Sequence, residues 1–303
     1  MSNPPVEGAV IENRGAVFDV LIGERVVRCF LRGKLKKGKQ RQVSLIAAGD
    51  RVVVTLLEPG KGVVEQVLPR GSEISRRATG GEPLQQVLAA NVEQAVIVFA
   101  AAEPRPDFYM LDRFLVVATA AGLDQVVCVN KCDLVEPGQV RAHFALYGRI
   151  GYRVLYTSAR RGEGLEGLRA ALKDHRSIIC GPSGVGKSSL LNAVAPGLSL
   201  RTRDVGTVTH KGRHATSSVT MLPLTFGGWI ADTPGLRQLA FWHVSRDQVA
   251  QAFPDLGPYL GRCRFSNCSH GKEEGCALRD ALASGKVNSR RLKSYLQLAG
   301  ERT

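Results

Sequence analysis

The chain has 303 residues, enough for two or three domains at about 100–200 residues each. Its 41 lysines and arginines against 27 aspartates and glutamates give a net charge of +14, which favours a polyanionic partner, nucleic acid above all, and 44% hydrophobic residues suffice for packed cores. A membrane-spanning helix is excluded, because the longest apolar run, 95–102, falls far short of the roughly 18 residues required.

Residues 1–75 read as short β runs, AVFDVLI, RVVRCFL, QVSLIAAGDRVVVTLL and GVVEQVL, punctuated by Gly and Pro. That spacing predicts an all-β OB-like barrel. Arg25 to Arg41 holds eight basic residues and no acidic one. Such a run is either a solvated loop or a grip on nucleic acid through Arg32, Lys34, Lys36, Lys37 and Lys39, with Phe30 available for base stacking. Ser75 to Gly81 reads as a linker. Across 76–245 continuously apolar β runs alternate with helical stretches, which predicts a parallel α/β sheet covered on both faces. Residues 246–303 are polar, carry cysteines and a histidine, and end in a basic helix; these predict a small α-helical module. The seven cysteines are odd in number and mostly scattered in strand-like contexts, as in a cytoplasmic protein with reduced thiols. MSNPPVEGAV has no basic start followed by an apolar stretch, so no secretory leader is expected.

Gly181-Pro182-Ser183-Gly184-Val185-Gly186-Lys187-Ser188 matches G-x-x-x-x-G-K-[ST]. An apolar strand precedes it and a helical run beginning with Ser189 follows. The backbone N–H groups of such a loop turn inward around phosphates, and the helix N-terminus adds partial positive charge. Lys187 is expected to reach the β- and γ-phosphates and to assist catalysis. The Ser188 hydroxyl is expected to bind Mg²⁺. Asp232, at the end of the run WIA, can join that magnesium shell, and the Gly235 amide can meet the γ-phosphate.

Asn130-Lys131-Cys132-Asp133 follows the run QVVCV. Asp133 can accept hydrogen bonds from guanine N1–H and from its exocyclic amine, donors that adenine lacks there. Lys131 can lie along the purine face, and Asn130 can tie the loop to neighbouring backbone. Thr157-Ser158-Ala159 adds a third loop, whose Ser158 and Ala159 backbone can meet the guanine carbonyl. All these elements fall at strand ends, where open α/β sheets bind ligands.

Cys263-x4-Cys268-x-His270-x5-Cys276 puts three cysteines and a histidine within 14 residues. Three thiolates and an imidazole form a closed tetrahedral set for one structural Zn²⁺. Basic flanks, among them Arg290 and Arg291, suit nucleic-acid phosphates.

These four nucleotide elements follow the pattern of translation-factor-type GTPases in permuted order, base elements before phosphate elements. With a barrel before them and a Cys/His module after, the chain resembles the RsgA family (also called YjeQ or YloQ), circularly permuted GTPases of small ribosomal subunit assembly. The resemblance implies a circularly permuted P-loop GTPase domain that binds GTP and GDP. It implies rRNA and the small ribosomal subunit as partners, with subunit-stimulated hydrolysis. It identifies Gly212 to Ser218 as a switch, with Thr216 sensing Mg²⁺ and the γ-phosphate. The threonine run usual after the family's histidine is here Ala-Thr-Ser-Ser, a partial match. Leu236 stands where Ras-like proteins place a water-orienting Gln. His214, implicated in hydrolysis in the family, is then the best candidate for that role. The competing reading is an RNA-binding or RNA-chaperone protein in which GTP is only a structural or switch ligand. A cytoplasmic monomer is expected.

Overall fold

The computed structural model describes residues 4–33, 45–77, 85–197, 219–232 and 244–300. Strands β1 (Val6–Asn13), β2 (Val17–Ile22), β3 (Arg25–Leu31), β4 (Arg51–Glu58) and β5 (Lys61–Val67) form the expected barrel. Pairing of β1 with β4, Val6 opposite Val54, closes it. Inward positions alternate along the strands. On β3, Val27 and Cys29 are buried while Val26, Arg28 and Phe30 face out. Phe18, Val20 and Val52 complete this core, and each fully buried side chain of this kind stabilises by about 1.5–3 kcal/mol.

Several elements lay outside the sequence reading. β1 was not expected, and among its described residues the run 42–57 forms a strand from Arg51 onward, β4. In the stretch before it, the buried Asp50 carboxylate accepts from the Ala47 N–H at 2.8 Å and from Arg70 Nε at 2.7 Å. The expected linker is corrected as well. Ser75 to Arg77 complete strand β6 (Glu73–Arg77), which pairs antiparallel with β7 (Gln85–Ala90). The rest of that linker lies outside the described residues. Gly49, at φ +92°, lets the barrel approach this hairpin, since a Cβ there would stand 1.9 Å from the Ala90 carbonyl oxygen.

The central sheet runs β10 (Arg153–Tyr156), β9 (Asp124–Asn130), β8 (Gln94–Ala100), β11 (Arg176–Cys180), β13 (Trp229–Asp232) and β12 (Thr220–Pro223). Only β12 runs antiparallel to its neighbour within this order. β8 is buried along its whole length because both faces are covered. Ile97 and Phe99 pack under helices α1 (Phe108–Ala120) and α2 (Pro137–Arg149). Val96 and Val98 pack over α3 (Leu165–Leu172) and α4 (Lys187–Val194). Connections from β8 and β11 therefore leave on opposite faces. The crevice between their carboxyl ends is the switch point where such sheets take ligands. β12 meets β1 at Thr220 and Glu12, which joins the sheet to the barrel.

The C-terminal module holds α5 (Arg246–Gln251), α6 (Ala277–Ala283) and α7 (Ser289–Gly300). Its core includes Phe253, Leu256, Leu292 and Tyr295 and reaches Val116 of α1. Among the described residues, no helix is long and apolar enough to cross a membrane.

Candidate nucleotide site and metal centre

The phosphate loop leaves β11 at the switch point. Gly181, at φ +138°, sits where a Cβ would lie 2.1 Å from the Val98 carbonyl oxygen. Any side chain there would push the loop off β8. Gly186, at φ +87°, precedes the first residue of α4, and its missing Cβ leaves room for Asn130 Nδ2, which a Cβ would meet at 2.6 Å. Lys187 Nζ donates to the carbonyls of Gly181 at 2.8 Å and Pro182 at 2.6 Å, so the ammonium lies over the loop. Ser188 and Ser189 are exposed in the first turn of α4, where N–H groups have no intrahelical partner. The arrangement is an anion cradle with a fixed cation beside it. Gly181→Ala is expected to lower stability by at least about 2 kcal/mol, through φ strain and the clash together. A denaturation midpoint equal to that of the parent would contradict this account of the loop.

The base-side loop stands next to the cradle. Asn130 is fully buried at the end of β9 and joins three segments. Its Nδ2 donates to the Val185 carbonyl of the phosphate loop at 3.0 Å, and its Oδ1 accepts from the Ala159 N–H at 3.2 Å and the Thr157 hydroxyl at 3.3 Å. Lys131 takes a left-handed conformation, φ +61°, and donates from Nζ to the Glu103 carbonyl. The half-buried Asp133 accepts from the Ser158 hydroxyl at 2.6 Å, and this bond holds its carboxyl below the usual range. Asp133 therefore keeps its charge to lower pH than an unpaired aspartate would.

Asn130, Lys131, Asp133, Ser158, Ala159 and the loop from Gly181 to Ser189 thus converge on one edge of the sheet. Asp232 closes β13, which pairs with β11 at Ala231 and Ile178, so its backbone reaches the same edge. The Asp232 side chain, His214, Thr216, Gly235, Lys34, Lys36, Lys37 and Lys39 lie outside the described residues. Sequence reasoning missed the 101–107 segment. There Glu103 accepts from Lys131, and Pro104 Cδ would lie 3.7 Å from a Cβ on Gly184. No motif marks that segment.

In the module, the potential ligand atoms of Cys263, Cys268, His270 and Cys276 all lie within 4.8 Å of one another. The Cys263 and Cys276 sulfurs are 3.9 Å apart, and His270 Nδ1 is 3.4 Å and 3.5 Å from them. Tetrahedral zinc with Zn–S near 2.3 Å requires sulfur separations of about 3.8 Å. The set therefore fits a zinc ion, and four protein ligands leave no position open for substrate. Ser269 N–H donates to Glu273 at 2.8 Å and shapes the loop between Cys268 and His270.

One of the arginines expected to meet RNA needs correction. Arg291 is fully buried and paired with Asp112 and Asp255, so it offers nothing to a phosphate. Arg290 is half-buried with its guanidinium carbon 3.7 Å from the Phe108 ring centre. An amphipathic helix that needs partners across a domain contact uses arginine stems and forks for packing, which a charge count cannot reveal. Arg32 is exposed and pairs with Glu65.

Residues 67–242 match the family described as RsgA GTPase. The small ribosomal subunit biogenesis GTPase RsgA of Gemmatimonas aurantiaca is 44% identical over 298 residues, covering 97% of this chain and 96% of that protein. Its counterpart in Moorella thermoacetica is 40% identical, covering 98% and 97%. Among solved structures, YjeQ from Thermotoga maritima superposes with a TM-score of 0.78 at 32% identity, covering 99% of this chain and 100% of that one. YloQ, described as a circularly permuted GTPase, superposes at 0.75 with 30% identity, covering 99% and 95%.

Proposed function

Since this chain belongs to the RsgA GTPase family, we propose that it hydrolyses GTP as a late checkpoint in assembly of the small ribosomal subunit. The observation that carries the reading is the Asn130 junction. One buried amide ties the base loop to the phosphate loop 55 residues later in the chain. The two halves of a guanine-nucleotide site are thereby assembled in permuted order.

The cradle from Gly181 to Ser188 binds the phosphates, with Lys187 neutralising charge as the γ-phosphoryl departs. Asp133 selects guanine, and Lys131 covers its face. Ser188, Thr216 and Asp232 offer the hydroxyl and carboxylate oxygens that suit a hard cation, and they would hold Mg²⁺. Bound there, Mg²⁺ offsets negative charge on the β- and γ-phosphates. His214 orients the attacking water, because Leu236 cannot. Gly235 meets the γ-phosphate. One Zn²⁺ per chain on Cys263, Cys268, His270 and Cys276 holds the module's loop. The barrel grips rRNA through Arg32, Lys34, Lys36, Lys37 and Lys39, in a cytoplasmic monomer of three parts, 1–75, 76–245 and 246–303.

The test is GTP turnover by the protein alone and then with small subunits, large subunits or bare rRNA. Stimulation by small subunits only is expected, and His214→Ala should abolish the stimulated rate while sparing nucleotide binding. Equal stimulation by large subunits would overturn the partner assignment. An unchanged stimulated rate in the variant would remove His214 from the mechanism.

A further inference from the structure

Consecutive arginines of α7 grip the first turns of α1 from the C-terminal module. Arg290 lays its guanidinium over Phe108, the first residue of α1, with the carbon 3.7 Å from the ring centre. Arg291 bonds Asp112, one turn further along. Both arginine and aspartate are fully buried. The Tyr147 hydroxyl donates to the same Asp112 oxygen at 2.8 Å, and Phe108 stacks on Tyr147 at 6.2 Å and 14°. Arg291 is anchored on its own side by Asp255 Oδ1 at 2.9 Å and the Ala252 carbonyl at 3.1 Å. Phe253 lies under it at 4.0 Å. A charged residue this deeply buried is expensive unless it is paired, and Arg291 has Asp112, Asp255 and the Ala252 carbonyl as partners.

The start of α1 is also the end of the segment that supports the nucleotide. Asp107 caps the helix by accepting from the Met110 N–H at 3.1 Å. Four residues earlier, the Glu103 carbonyl accepts from Lys131 Nζ. Pro104 stands against Gly184 of the phosphate loop. At the other end of the segment, the Ala101 N–H donates to the Asn130 carbonyl at 2.7 Å. The 101–107 segment is therefore fastened at one end to the base loop and at the other to a helix start that the module holds.

We propose that Arg290 and Arg291 are positioning residues for the guanine site. Clamping Phe108 and Asp112, they set the Glu103 carbonyl against Lys131. The module thereby tunes nucleotide affinity, and bound nucleotide reciprocally steadies the module. The inference rests on the assignment of Lys131 to the base site.

The test is a thermodynamic cycle read with a fluorescent GDP analogue on the full chain. Arg290→Ala and the paired replacement Asp112→Leu/Arg291→Met are each made in the parent and in a Lys131→Met background. The paired form removes both fully buried charges but leaves Asp255, whose side chain is 11% exposed, without Arg291, so Arg290→Ala, which removes a half-buried side chain, carries the test if the pair fails to fold. Each clamp change is expected to raise Kd about fivefold in the parent. In the Lys131→Met background the same change should stay within about twofold, because the contact it acts through is already gone. Arg290→Lys, which keeps a cation over Phe108, should recover most of the affinity. An unchanged Kd, or equal losses in both backgrounds, would overturn the proposal and leave the base site standing. Parental affinity in Lys131→Met alone would instead remove the base-site assignment, and the proposal with it.

Discussion

Cys276→Ser is expected to release the metal that Cys263, Cys268, His270 and Cys276 would hold and to unfold the 261–276 loop. The segment has little else to keep it folded. It contains neither helix nor strand, and its few backbone bonds include Arg264 N–H to the Gly275 carbonyl at 2.9 Å and Cys268 N–H to the Phe265 carbonyl at 3.2 Å. Structural zinc contributes on the order of 10 kcal/mol to domains of this kind. Loss of one thiolate should therefore exceed any single core substitution in the barrel. The central sheet has its own core around Ile97, Phe99 and Leu115 and should stay folded. Hydrogen exchange should show lost protection in 261–276 and in α6, with the sheet still protected, and metal analysis should find no bound zinc. Full protection with no metal bound would mean that the thiols pack without an ion.

Asp133→Asn is expected to convert guanine preference into xanthine preference. Its carboxylate accepts from both guanine donors, whereas an amide can accept from N1–H and donate to the carbonyl that xanthine carries instead of the amine. Sites that read such groups discriminate by about 10⁴-fold when a buried polar partner is left unpaired. The Ser158 hydroxyl already orients the carboxylate, and an asparagine Oδ1 can accept the same bond, so the loop should keep its shape. Competition between GTP and xanthosine triphosphate measures the shift. Retention of full GTP preference would move guanine recognition away from Asp133.

Much of the nucleotide site was legible because its chemistry is local. A phosphate loop needs its glycines and lysine at set spacing, and the N-K-x-D and Cys/His spacings answer to ligands of fixed geometry. The alternation of apolar runs with helices was legible for a similar reason, since β8 is buried on both faces and reads as unbroken hydrophobicity. Strands β1, β6, β7 and β12 were not. β1 breaks its apolar residues with Glu7, Gly8 and Glu12, β6 is mostly polar, and their pairing is decided by distant partners such as β4 and β7.

The sequence by itself determined the order of motifs, the GTPase family and the Cys/His set that could hold a metal, because each is a property of residue type and spacing. Tertiary structure alone decided which charges are free. Arg290 and Arg291 read as RNA contacts on a basic helix, yet one lies over Phe108 and the other is sealed against Asp112, 179 residues away. It alone also revealed the 101–107 segment, which carries no motif. Burial of a charge depends on what folds over it, and that contact is non-local by nature.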